Sequence, residues 1–133
     1  MMLPEINQDR LFARVRKLCT ITASSGNEQS IIDYLRTFWE KYKDSGLSWE
    51  TVPTTNPSEP PNIIMRLEGS GTPLLLCAHM DTVPIYAETV CLIESEGVLR
   101  TDGSSILGSD DRAGIALALE MIDLCFERSE HPS

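Results

Sequence analysis

The chain has 133 residues, of which 41% are hydrophobic and 23% are charged, as is ordinary for one soluble globular domain. Its formal net charge of −9 argues against a nucleic-acid partner, because phosphates demand clustered Lys and Arg. There is no apolar run of about 18 residues, and the segment from Met1 to Arg14 lacks a basic stretch followed by an apolar one, so we expect neither a membrane span nor a secretory signal.

The first third of the chain predicts two helices. From Arg10 to Leu18 the apolar residues form one stripe, and Ser25 followed by Glu28 has the spacing of a capping box that would start a second helix. Gly46 is a plausible stop for that helix. The apolar face of the second helix is predicted to comprise Ile31, Ile32, Leu35, Phe38 and Trp39.

From residue 47 onward the pattern indicates strands. Leu47 to Val52 alternates between apolar and polar residues, and Asn62 to Leu67 is a second strand after a proline-rich loop. Pro73 to Ala78 is continuously apolar, which predicts an interior strand covered on both faces. Cys91 to Ile93 and Val98 to Arg100 indicate a hairpin.

The last predicted element is a helix from about Asp110 to Phe126. It carries no charge between Arg112 and Glu120, so we expect it to be buried nearly all round. Helices first, strands next and a buried helix last predict a layered α/β domain.

The four cysteines lie in apolar runs and form no CxxC pair, which predicts buried, reduced thiols and a cytoplasmic location. They are Cys19, Cys77, Cys91 and Cys125.

Two short segments carry the chemistry. His79 and Asp81 follow the predicted interior strand and are two residues apart, so their side chains can share a face. A metal-binding imidazole commonly donates its other N–H to a carboxylate, although a histidine at a strand end is more often a hydrogen-bonded structural residue. Asp110 and Asp111 open the last helix, where they could be caps or could bind a divalent cation that offsets their repulsion.

The ordered pair HMDTVP (79–84) and ILGSDDRAGIA (106–116) resembles the co-catalytic dizinc metallopeptidases, which include peptidase T, glutamate carboxypeptidase, aminoacylase and succinyl-diaminopimelate desuccinylase. The Leu-Gly pair before the aspartates and the SGNE segment (25–28) are similar to the peptidase T branch. The resemblance runs from about Leu11 to Cys125 and implies that residues 1–133 are the N-terminal part of a catalytic domain with a partial three-layer sheet-and-helix fold.

The resemblance implies a role for each site residue. His79 is a ligand of one zinc ion, Asp110 bridges two zinc ions, and the contribution of Asp81 to catalysis is to orient His79. Two metals held this way can activate one water and polarise a scissile carbonyl.

Three further residues are implied to support the site structurally. Asp111 follows Asp110 through a peptide bond that is usually cis in this family. Gly108 and Gly114 flank the two aspartates, where the absence of a side chain lets the backbone bend tightly.

The family's general base, a Glu-Glu pair, and its later metal ligands are expected beyond His131–Ser133. The resemblance therefore implies that this chain alone is inactive. The complete enzyme would remove N-terminal residues from short peptides as a homodimer, with no nucleic-acid or membrane partner. The alternatives are a non-catalytic truncated fragment or a related amidohydrolase such as a deacylase, desuccinylase or carboxypeptidase.

Overall fold

The computed structural model of the protein describes residues 5–84 and 90–128. Residues 1–4, part of the segment in which we expect no secretory signal, lie outside the described residues. So do residues 131–133, beyond which the rest of the catalytic domain is expected. The elements are α1 (Gln8–Cys19), α2 (Gln29–Tyr42), a 3-10 turn (Lys43–Ser45), β1 (Leu47–Val52), β2 (Asn62–Leu67), β3 (Leu92–Ser95), β4 (Val98–Thr101) and α3 (Ser109–Glu127). Their mixture confirms the α/β class.

The helix ends are set by local hydrogen bonds and by one glycine. The side chain of Asn7 accepts from the backbone N–H of Arg10 at 3.0 Å and caps α1. The 3-10 turn after α2 ends at Gly46, whose φ of 103° lies in the left-handed region, so the predicted stop is confirmed.

The predicted capping box before α2 is wrong. The Glu28 carboxylate accepts from the backbone N–H of Gly26 at 2.8 Å, whereas the reciprocal bond of a capping box would come from the N–H of Ser25. The hydroxyl of Ser25 does not return to the helix either, because it donates to Asp81.

Two antiparallel hairpins follow the first two helices. β1 pairs with β2 so that Leu47 faces Leu67 and Val52 faces Asn62, and the bounds of both strands match the prediction. β3 pairs with β4 and confirms the second hairpin to within two residues.

The interior strand predicted for Pro73 to Ala78 is wrong. The segment forms no strand, and Leu74 and Leu75 are 72% and 80% exposed. A run of this kind is buried only where other layers cover both faces and flanking strands bind its backbone. Within residues 5–84 and 90–128, neither hairpin extends to this segment.

The prediction of buried thiols holds for only part of the set. Cys19 is buried and Cys125 is half-buried, whereas Cys77 and Cys91 are exposed. Cys77 is exposed because it belongs to the uncovered apolar segment 73–78.

The apolar core lies where α1, α2 and α3 meet. It comprises Leu18, Ala23, Ile31, Leu35, Ile115, Ala116 and Leu119.

The expectation that α3 is buried nearly all round is wrong, since Leu117 and Met121 are 48% and 39% exposed. One face of α3 packs on the other helices and the opposite face is uncovered. No helix in the described parts of the chain combines the length and apolarity needed to cross a membrane.

Two carboxylates of α3 are buried, which the sequence did not predict. Glu120 and Asp123 are 1% and 0% exposed. Arg10 reaches Glu120 at 2.6 Å and Lys41 reaches Asp123 at 3.0 Å. The side chains that surround the two carboxylates come from both other helices and are Arg10, Arg14, Lys41 and Tyr42. Buried charges require such partners.

Candidate metal site

The segment that carries His79 is attached to the loop between α1 and α2. Thr82 is buried, and its backbone N–H donates to the carbonyl of Ala23 at 2.9 Å. Ser24 and Thr82 also form an isolated parallel β-bridge. These contacts with the loop fix the backbone around residue 81, even though the preceding residues 73–78 do not pair with any strand.

The start of α3 is not regular helix. The peptide bond between Asp110 and Asp111 is cis, as the resemblance implied, and both residues have non-helical backbone angles. Asp111 accepts from the backbone N–H of Gly114 at 3.0 Å. The cap that the sequence allowed for the aspartate pair is therefore made by Asp111, and the carboxylate of Asp110 does not take part in it.

The two glycines of this region have different roles. Gly108 has a φ of 66°, and a Cβ there would lie 3.1 Å from the Thr82 methyl carbon. It lets the chain turn tightly against segment 79–84, as predicted. Gly114 lies inside the helix, where a Cβ would collide with the Asp111 carboxylate. The absence of a side chain at Gly114 therefore leaves room for Asp111 to cap α3.

These elements bring His79 together with two carboxylates. Its Nε2 lies 3.0 Å from Oδ1 of Asp110, although the residues are 31 positions apart. Its Nδ1 lies 3.1 Å from Oδ1 of Asp81 and 2.9 Å from the Asp81 carbonyl oxygen. The predicted proximity of His79 to Asp110 and the predicted orientation of Asp81 toward the imidazole are both confirmed.

The protonation of this histidine follows from its neighbours. Nδ1 faces two acceptors, so a proton on Nδ1 is donated to Asp81. Nε2 faces a carboxylate oxygen, and a bare lone pair there would repel that oxygen. The arrangement is therefore favourable only with a proton or a cation between Nε2 and Asp110.

Two pKa values reflect the same contacts. The hydrogen bond to Asp110 raises the pKa of His79, and the contacts with Asp81 act in the same direction. The hydroxyl of Ser25 donates to the Asp81 carboxylate and lowers its pKa. Asp81 is therefore an anion at neutral pH.

The donor set fits part of a zinc site. An N···O separation of 3.0 Å suits two ligands of one ion whose bonds are each about 2.0–2.2 Å. Among the described residues no group of three or more His, Cys, Asp or Glu side chains could hold a metal. A catalytic zinc ion normally takes three protein ligands and a water, so this pair supplies two.

The site opens on a small cavity. Its volume is about 340 Å³. The polar side chains that line it are Ser25, His79, Asp81, Ser109 and Asp110, and Val83 and Ile106 contribute apolar surface. The side chains of His79 and Asp110 are 51% and 95% exposed, so an ion can reach both.

Sequence reasoning missed two residues of this region. Ser25 was interpreted as a helix cap, although its place in the SGNE segment was a signal. Arg112 was only part of the second motif, yet it is 1% exposed and donates to the carbonyl of Ile21 at 3.3 Å.

Comparison with known proteins finds a curated relative in sequence and solved structures of similar fold. No protein-family model matches the chain. The uncharacterized protein YqjE of Bacillus subtilis is 30% identical over 132 residues, which is 95% of this chain and 34% of YqjE.

Two solved structures are similar in fold. A tripeptidase from Staphylococcus aureus superposes with a TM-score of 0.76 and 29% identity, over 95% of this chain and 34% of that one. Aminopeptidase PepT from Bacillus cereus gives 0.74 and 26%, over 93% and 34%. The chain spans about a third of the length of each protein it matches, and over that length it has a peptidase-like fold.

Proposed function

We propose that this chain supplies two metal ligands, His79 and Asp110, to a two-zinc peptidase of the peptidase T type that acts on short peptides. The observation that carries the proposal is the 3.0 Å approach of Nε2 of His79 to Oδ1 of Asp110. A divalent cation between these atoms would use the lone pair of the imidazole and the negative charge of the carboxylate at once.

Each residue has a defined task in the proposed site. His79 presents Nε2 because its Nδ1 proton is held by Asp81, and Asp110 presents a carboxylate that its exposed position leaves free to bridge. Asp111 keeps the helix start in place beside them. When bound, two zinc ions would polarise a peptide carbonyl and lower the pKa of an attacking water.

The similar structures support the choice of substrate. One is described as a tripeptidase and the other as an aminopeptidase, and each shares its fold with this chain over about a third of its own length. Short peptides are therefore the substrate class that we propose. Assembly as a homodimer and a cytoplasmic location remain part of the same proposal.

The metal site is tested by zinc titration of the purified chain, using competition with a coloured chelator. We expect the chain to bind zinc weakly, since it supplies at most two ligands to any one ion. His79→Ala and Asp110→Ala should abolish binding, whereas Asp102→Asn, which changes a carboxylate in the turn after β4, should not. Equal zinc binding by all four proteins would refute the site.

The reaction is tested with a hybrid protein. The chain replaces the matching third of Bacillus cereus PepT, and hydrolysis of tripeptides is measured with zinc and after chelation. We expect activity that requires zinc and is lost in the His79→Ala hybrid. A folded hybrid that cleaves N-acyl amino acids but no tripeptide would refute the peptidase assignment.

A further inference from the structure

A serine outside both sequence motifs contacts the candidate site. The hydroxyl of Ser25 donates to Oδ2 of Asp81, while Oδ1 of the same carboxylate faces Nδ1 of His79 at 3.1 Å. A carboxylate is planar, so a hydrogen bond that holds one oxygen also fixes the direction of the other.

We propose that Ser25 is a positioning residue that holds the Asp81 carboxylate toward His79, so that the imidazole keeps its Nδ1–H form and presents Nε2 to Asp110. The consequence for metal binding rests on the function proposed above. The consequence for the imidazole itself does not.

The backbone that delivers this hydroxyl is fixed on both sides of the site. The loop between α1 and α2 is attached to segment 79–84 by the hydrogen bond from Thr82 to Ala23 at 2.9 Å. It is attached to the start of α3 by the buried Arg112, which donates to the carbonyl of Ile21 at 3.3 Å. Ser25 therefore approaches Asp81 from a loop that both site segments hold.

The hydroxyl is committed to Asp81 rather than to the helix. The residue that caps α2, Glu28, makes no side-chain cap to that helix, and Ser25 makes none either. The side chain of Asp81 is 33% exposed and that of His79 is 51% exposed. Without Ser25, both can turn into solvent, because little packing holds them.

The first test reads the imidazole directly and needs no metal. Nitrogen-15 NMR at a pH where the ring is neutral separates the two tautomers, and His79→Gln assigns the signals of the chain's two histidines. We expect the Nδ1–H form to make up a larger share of the neutral ring in the parent than in Ser25→Ala, with Asp110 competing for the proton at Nε2 in both proteins. Ser25→Thr, which keeps the hydroxyl, should restore the parent spectrum.

Two further variants control for the fold. Ser25→Cys is nearly isosteric but is a weak donor, so it should behave as Ser25→Ala even if alanine disturbs the loop. Ser24→Ala changes the neighbouring serine, which is linked to Thr82 through its backbone, and should leave the tautomer unchanged. Circular dichroism shows which variants are folded.

The second test is zinc affinity. We expect Ser25→Ala to bind zinc about 10-fold more weakly than the parent, and Ser25→Thr to recover it. A parent that binds no zinc refutes the proposed function, while the tautomer experiment still decides the role of Ser25. A folded Ser25→Cys or Ser25→Ala that keeps the parent's share of the Nδ1–H form overturns the inference whatever the zinc result.

Discussion

At the scale of single residues, the candidate site depends on which atom each ring nitrogen of His79 faces. Asp81 holds Nδ1 and Asp110 lies against Nε2, so the imidazole has one nitrogen for orientation and one for binding. A histidine that binds a metal through one ring nitrogen commonly donates from the other to a carboxylate in this way. This arrangement leads to a prediction for Asp81 that differs from that for the ligands.

Asp81→Asn should weaken zinc binding by about 10–100-fold, because the amide keeps the shape of the carboxylate but loses the charge that makes the imidazole more basic. The measurement is the chelator competition described above. Asp102→Asn is the matched control, since it removes one negative charge elsewhere. An Asp81→Asn chain with parental zinc affinity would show that Asp81 only supports the backbone.

Asp111 is the cap of α3, so its substitution should affect stability. Asp111→Ala should lower the free energy of unfolding by about 1 kcal/mol, since the N–H of Gly114 loses its acceptor. Asp111→Asn should cost much less, because asparagine caps helices about as well. Urea denaturation of the two variants measures the difference. Equal losses for alanine and asparagine would contradict the cap.

At the scale of elements, the three helices are joined by charge as well as by apolar packing. Burial acts to raise the pKa of Asp123, but hydrogen bonds from Tyr42, Lys41 and Arg14 outweigh it and the pKa is lowered. The hydrogen bond from Arg10 lowers the pKa of Glu120. The neighbouring side chains therefore stabilise the ionised form of each carboxyl group more than its protonated form.

Stability should therefore depend on pH through this cluster. A carboxyl group whose pKa is lower in the folded state stabilises the fold fully above its unfolded pKa, which is about 4. The contribution is lost as pH falls through the lower, folded pKa. We expect the free energy of unfolding to fall below about pH 4.

Asp123→Asn isolates the part that belongs to Asp123. The variant should be less stable at pH 7, because Lys41 and Arg14 lose a charged partner, and its stability should fall less steeply below pH 4 than that of the parent. Denaturation by urea at a series of pH values tests both points. A variant whose pH profile parallels that of the parent would show that Asp123 contributes nothing to the acid response.

At the scale of the whole molecule, a large apolar groove is open to solvent. Its volume is about 790 Å³, and it lies between β2, segment 69–76 and α3. Leu74, Leu75 and Leu76 are at least 50% exposed. Exposed apolar surface of this kind marks a contact surface or promotes association.

We therefore expect the isolated chain to bind a hydrophobic dye and to associate with itself. Changing Leu74 and Leu75 together to serine should reduce both effects, because these leucines are the most exposed in the groove. Val98→Thr is the control, since Val98 is 59% exposed but lies on β4, outside the groove. A monodisperse parent that binds no dye would contradict this expectation.

We also expect the isolated chain to hydrolyse no peptide. The residues that the resemblance identifies give each zinc at most two ligands, and the general base of the family is not among them. Loss of a general base alone typically costs about 10²–10⁴-fold in rate. Zinc-dependent cleavage of a tripeptide by the purified chain at enzymatic rates would refute this prediction.

The sequence by itself determined the features that depend on neighbouring residues. The alternation of Leu47 to Val52 fixed β1, and Gly46 ended the turn before it, because side-chain period and left-handed backbone are local properties. The two motifs also identified His79 and Asp110 as residues that belong together. Local signals of this kind do not depend on which other parts of the protein pack against the strand or helix.

Tertiary structure alone decided what lies against each of those residues. It directed the hydroxyl of Ser25 to Asp81, 56 positions away, although the sequence favoured a nearby helix. It buried Glu120 and Asp123 among cations of α1 and α2, and it left segment 73–78 exposed. The reason is physical: burial and pairing depend on partners from distant parts of the chain, and the local pattern shows only that a partner is required.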